Sequence, residues 1–100
     1  MAFIHSRIST KPSNVKWYGR TNPGHLAELE EWTVTHPKVL AYKSTEVDNS
    51  PDHHRTTTIN ASREDMDAFL IDLDAFTIAQ LREKFNKENN IVTEIVISQV

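Results

Sequence analysis

The chain of 100 residues contains no cysteine and only two glycines. The first absence excludes disulfides, thiolate metal sites and thiol nucleophiles. There is no G-x-x-x-x-G-K-[ST], no G-x-G-x-x-G and no nucleophile elbow, so nucleotide hydrolysis and serine-esterase chemistry have no support. No apolar run approaches the roughly 18–20 residues that span a bilayer. The N-terminal "MAFIHSRIST" lacks the apolar core of a signal peptide. A cytoplasmic protein without a membrane segment is the expectation. Repeats and low-complexity segments are also missing.

What is present, 38% hydrophobic and 25% charged residues, suits a globular protein and not a disordered one. The length points to a single domain over 1–100. The net charge of −3 hides an asymmetry. Residues 1–27 carry Arg7, Lys11, Lys16 and Arg20 and no acid, whereas residues 28–100 carry seven basic and fourteen acidic residues. Such a basic N-terminal part suits an anionic ligand, the acidic surface of a second copy, or an ordinary mixed surface.

Hydrophobic period then orders the chain. "AFIHSRIST" alternates as a strand, with Ile4, Ser6 and Ile8 on one side and Phe3, His5 and Arg7 on the other. "KPSNVKWYGRTNPG" holds both glycines and two of the four prolines and predicts a long loop. Asn22 as cap and Pro23 in the first turn predict a helix with an apolar stripe of Leu26, Leu29 and Trp32 or Thr33, ending at His36-Pro37. "VLAYKSTEV" and "HHRTTTIN" predict a hairpin turning through "DNSPD". Ser62 followed by Asp65 resembles a capping box that opens a helical segment to about Asn89. One straight helix there would run about 40 Å. The second T-x-x-Q match, Thr77 to Gln80, therefore predicts a break near 74–78. "IVTEIVISQV" is apolar on both sides and predicts a last strand buried on both faces.

The order β-α-β-β-α-β is the ferredoxin-like α+β arrangement, a four-stranded antiparallel sheet with helices on one face. In that fold strands one and three are central neighbours. With Ile4, Ile8 and Ile59 assigned to the helices, His5, Arg7, His54 and the threonines of strand three would share the open face. An apolar last strand beside that polar patch suits an interface, and a homodimer through the open face or the last strand is expected.

The topology, the broken segment "SREDMDAFLIDLDAFTIAQLREKF" and the apolar final strand resemble the dimeric α+β-barrel proteins, of which the antibiotic-biosynthesis-monooxygenase-like domains are best known. The resemblance covers nearly the whole chain and implies a dimer. That family includes cofactor-independent oxygenases acting on aromatic substrates and haem-degrading enzymes. No catalytic motif of the family is placed on this sequence.

His5 and His54 are the groups expected to titrate near neutrality, and with Arg7 they would hold an anionic or phenolic substrate and move a proton. They are the catalytic candidates, weighed against a polar dimer interface. His53 and His54 are adjacent and point to opposite faces of a strand, so they cannot share one ion without a bulge. A metal site would need His5 with His54 and Asp52 or Glu94, and no ligand spacing signals it; neither metal nor cofactor is expected. "KWYGR" sets Trp17, Tyr18 and Arg20 in the loop as a lid over a ligand pocket or as a plug for the core end. Nucleic acid is disfavoured, because the chain is acidic and the central strands lack stacking aromatics beyond Phe3. Trp32, Phe69, Phe76 and Phe85 keep core spacing, and Trp32 would touch an apolar ligand if the core opened. Two functions stand. The first is a small-ligand-binding or regulatory or assembly protein without explicit catalysis. The alternative is a cofactor-independent oxygenase-like or isomerase-like enzyme acting on a small aromatic or anionic substrate.

Overall fold

The computed structural model describes residues 2–100. The elements are β1 (Phe3–Thr10), α1 (Tyr18–Thr21), α2 (Pro23–Thr35), β2 (Ala41–Val47), β3 (Ser50–Asn60), α3 (Arg63–Ala75), α4 (Thr77–Glu88) and β4 (Val92–Gln99). All strand pairs are antiparallel and the sheet order is β2-β3-β1-β4. This is the expected ferredoxin-like α+β arrangement, with β1 and β3 central. Among the described residues no helix is long and apolar enough to cross a membrane.

Local chemistry explains most boundaries. Ser62 caps α3, its hydroxyl accepting from the Asp65 N–H at 3.1 Å. The break falls at Phe76 alone, whose φ −77°, ψ 122° is extended and ends α3 as it opens α4. The expected Thr77 capping box does not form. Gln80 instead donates its side-chain amide to the Asp74 carbonyl at 2.9 Å, which ties the two helices across the break. At the end of α4, Asn90 takes φ 59° and the Ile91 N–H reaches back to the Asn86 carbonyl at 2.9 Å, a Schellman-type stop. Asn22 stands before α2 as expected, but its side chain caps nothing there. It donates to the Tyr18 carbonyl of α1, a short helix that the glycine and proline content of the loop concealed.

The hairpin turns more tightly than "DNSPD" suggested. Asp48 and Asn49 both have positive φ, 53° and 57°, and form a two-residue turn between Val47 and Ser50. The register then shifts, leaving Pro51, Asp52 and His53 without partners on β2. Pro51 has no N–H to give, and a bulge is where a strand tolerates it. The loop after β1 covers this bulge. Trp17 donates its indole N–H to the Pro51 carbonyl at 2.7 Å, and the Lys11 backbone N–H donates to the Asp52 carbonyl at 3.0 Å.

The core lies among the helices and the sheet. Leu29, Ile78 and Ala79 are buried with Trp32, Leu73 and Phe76 against them. Phe69 and Met66 are fully buried. The Thr33 hydroxyl, buried on α2, donates to the Leu29 carbonyl at 2.8 Å, so its polarity is satisfied inside the helix.

One expectation is reversed. The residues of β1 that face the helices are the odd-numbered ones, His5 and Arg7 among them, together with the His54 side of β3. Ile4, Ile8 and Ile59 lie on the opposite, uncovered face. Period two sorts the residues into these sets correctly, but the more polar set is the covered one. The inner polar groups tolerate this because they pair. Ser9 and Thr93 hydroxyls lie 2.9 Å apart, Asn60 donates to the Lys38 carbonyl at 2.7 Å, and Arg7 pairs with Glu83. β4 is a second correction. It is a sheet edge, and Val92, Ile95, Val96 and Ile97 are all exposed rather than buried on both faces.

Candidate functional site

The site grows from the covered face of β1. Cross-strand pairing sets His5 between Thr58 and Ile97, and Arg7 between Thr56 and Ile95. Tyr42 and Ser44 of β2 continue these two rows. Above them α3 and α4 bring Leu70, Leu73, Ala79 and Arg82. They do not close down over β4, and a cavity of about 590 Å³ remains between helices and sheet. That volume lies within the range of small-molecule sites. Leu70, Leu73, Ala79 and Ile95 give it apolar walls, His5 and Arg7 form its floor, and Asp74 and Glu83 stand on the helices at its edge. A chamber of about 20 Å³ lies further in, toward Phe69 and Leu29, and shares His5, Arg7, Leu73 and Arg82 with the larger one.

The charges are unevenly placed. The Arg7 and Arg82 side chains are 11% and 18% exposed, whereas Glu83 is 53% exposed. Both guanidiniums reach the same carboxylate oxygen, Glu83 Oε1, from their Nη2 atoms, Arg82 at 3.4 Å. Arg82 Nε is buried without a hydrogen-bond partner. Burial and the neighbouring Arg7 push Arg82 down from the usual guanidinium range to about 10. Burial also lowers Arg7, against the pull of Glu83. His5 is lowered by burial first and by Arg7 second, with Asp74 opposing. Its imidazole is therefore held neutral at neutral pH. Burial raises the Tyr42 phenol, with Glu30 adding to the effect.

Of the residues singled out in the sequence, His5 and Arg7 are brought together in this cavity. His54 sits two rows away, opposite Ser9 and Glu46, hydrogen-bonded to the Ser44 hydroxyl, with the Trp17 ring at 5.9 Å. Burial lowers its pKa also, against Glu46 and Glu30. Trp17 is held over the β3 bulge with Lys11 Nζ 5.7 Å from its ring. Tyr18 hydrogen-bonds His25 Nδ1 at 2.6 Å and sets its ring edge-on to Phe85. Arg20 is exposed on α1. Trp32 stacks on Phe76 at 4.6 Å and 12°, inside the helix layer. None of Trp17, Tyr18, Arg20, Trp32 or His54 lines either chamber. Among the described residues no three His, Asp or Glu side chains converge as a metal site.

The sequence reading missed Arg82, Glu83 and Asp74. A signal for Arg82 existed. Ala79, Arg82 and Asn86 follow one another at three and four residues, and Ala79 and Asn86 are buried. A basic residue on the buried stripe of a helix is the pattern of an interior charge.

No protein-family profile and no curated protein matches the chain. Solved structures do. SnoaB, a cofactor-independent oxygenase from Streptomyces nogalater, superposes with a TM-score of 0.69 at 6% identity, over 99% of this chain and 92% of its own. An antibiotic biosynthesis monooxygenase gives 0.69 at 18% identity, over 100% and 98%. A conserved protein from Methanosarcina mazei Go1 gives 0.68 at 15% identity, over 99% and 93%. At these identities the likeness is one of fold: the chain has the fold of the antibiotic-biosynthesis-monooxygenase-like proteins.

Proposed function

We propose that this protein binds a small, largely apolar molecule in the cavity between β1, β4 and the α3–α4 pair, and does so as a homodimer. The observation that carries the ligand reading is the cavity itself, about 590 Å³ with apolar walls and polar groups gathered on its floor. Calorimetric titration with small aromatic compounds should give saturable binding. Ile95→Trp should weaken it by narrowing the mouth, since Ile95 lines the cavity and is 49% exposed. Titrations without heat, or an unaffected I95W variant, would count against this reading.

The dimer rests on the opposite face. Ile4 pairs with Ile59 there, Val96 lies across from Ser6, Ile8 follows between Arg55 and Glu94, and no helix covers them. Uncovered isoleucines beside the oppositely charged Arg55 and Glu94 suit an interface, and a second copy brings the same groups. Sedimentation velocity at micromolar concentration should show twice the 11.5 kDa chain mass, and Ile8→Glu should halve it. A monomeric wild type would overturn the assignment.

His5 favours a second reading, the cofactor-independent oxygenase-like or isomerase-like enzyme. It is a neutral, buried imidazole at the cavity floor beside Arg7. It would accept a proton from a bound phenol or α-acidic compound while Arg7 steadies the resulting anion. Solvent-deuterium incorporation or oxygen uptake with a bound aromatic compound, abolished by His5→Ala, tests it. Binding with no turnover of any kind leaves the binding protein alone.

A further inference from the structure

We propose that the ligand of this cavity carries a carboxylate that seats between the Arg7 and Arg82 guanidiniums, with an apolar body lying against Leu70, Leu73, Ala79 and Ile95. This inference rests on the ligand-binding reading above and names the chemistry of the ligand. Two interior guanidiniums share one oxygen of one carboxylate, and that carboxylate is half in solvent. Asp74 also lines the cavity but stays exposed. The interior end therefore holds more positive than negative charge.

Arg82 Nε points the same way. It is a buried donor with no acceptor, an expensive arrangement unless something else completes it. A planar carboxylate takes two parallel N–H bonds from one guanidinium, one of them from Nε or a terminal nitrogen. Arg82 brings its guanidinium to the cavity from α4, and Arg7 brings a second one from β1. Arg7 and Arg82 line both chambers. An acid group at the junction would thus meet both cations while its carbon skeleton filled the larger space. The inner chamber, about 20 Å³, admits one water-sized group and no more. The body of the ligand therefore extends outward, toward β4 and the mouth at Ile95. Tyr42, Thr56 and Thr58 around the inner chamber supply hydroxyls to a water or carboxylate oxygen placed there.

The test uses a matched pair, 2-naphthoate and 2-naphthamide, which share the ring system and differ in the head group, an anionic acceptor in one and a neutral amide in the other. Titration calorimetry on the full chain should show the acid binding at least about tenfold tighter than the amide, the effect of one good charge-assisted pair. Arg82→Met and Arg82→Gln should each abolish that preference; the second variant guards against a packing artefact of the first. Equal binding of acid and amide by the wild type overturns this inference and leaves the cavity reading standing. An acid preference that survives both substitutions overturns it as well. Failure of both compounds to bind overturns the cavity reading with it.

Discussion

Replacing Arg82 by methionine should make the unliganded protein more stable. The guanidinium drops from its usual range to about 10 because it is buried and close to Arg7. At about 1.4 kcal/mol per pH unit, that is a penalty of about 3 kcal/mol on the charged side chain in the folded protein. At pH 7 the group is charged both folded and unfolded, so the whole penalty weighs on the folded state. It is relieved only as pH rises through about 10. Methionine keeps an apolar stem of similar reach and removes the buried unpaired Nε. Glu83 retains Arg7 as its partner. What is lost is the 3.4 Å contact to a half-exposed carboxylate, which contributes about 0–1 kcal/mol. After discounting for relaxation, the net gain is about 1–2 kcal/mol, a rise of roughly 4–15 °C in Tm for a chain of this size. Thermal and urea denaturation at pH 7 read it directly, and the gap to the wild type should close above pH 10. A variant of unchanged or lower stability would refute the claim that the cavity interior is over-supplied with positive charge.

The pH profile carries a second prediction. His5 and His54 have folded pKa values below the ordinary 6.5, so below that pH the unfolded chain binds protons that the folded one refuses. Stability should therefore fall as pH drops below about 6.5, by at most about 1.4 kcal/mol per pH unit for each histidine, and His5→Gln should flatten the slope in chemical denaturation at pH 7 and pH 5. Ser62→Ala removes the hydroxyl that accepts from the first turn of α3 and should cost about 1 kcal/mol in urea unfolding. Gly19→Ala would set a Cβ 2.8 Å from Leu26 Cδ2 and 3.1 Å from Leu26 Cβ. The overlap should outweigh the entropic gain and destabilise by about 1 kcal/mol, visible as a lower Tm.

Much of the architecture could be read before any coordinates. The strands announce themselves by period two, and the break at Phe76 follows from a helix too long for its sheet. The inverted face could not be read in the same way. Alternation states which residues travel together, not which set meets the helices, and the usual tie-breaker is hydrophobicity. Ile4 and Ile8 win that comparison against His5 and Arg7, yet the polar pair is inside. The deciding partners lie far along the chain: Glu83, 76 residues from Arg7, and Thr93, 84 residues from Ser9. The bulge at Pro51–His53 was hidden for a similar reason, since its acceptors are met by Trp17 and Lys11 from another loop. Trp17, Tyr18 and Trp32 are spent on such joints, so aromatic content alone misdirects attention from the cavity.

The inversion has a consequence for how the two surfaces of the sheet divide their work. A covered polar layer is tolerable only where each group finds a partner, and here the pairing stops short at Arg82 Nε and Asn60 Oδ1. The inner face thus leaves polar atoms unpaired, and the outer face leaves Ile4, Ile8 and Ile59 without a helix over them. On β1 the two demands alternate residue by residue: Arg7 faces the cavity and Ile8 the open side. Because neighbours on a strand point oppositely, the cavity floor and the open face draw on one strand without sharing a side chain. His54 belongs to the inner layer but not to the cavity, held between Ser44, Trp17 and Ser9. Its neighbour His53 faces the other way, with Nδ1 3.1 Å from the Ser50 hydroxyl within the bulge. The adjacent histidines therefore serve the joint between bulge and loop, and neither lines the cavity, whose polar groups include His5, Arg7 and Arg82.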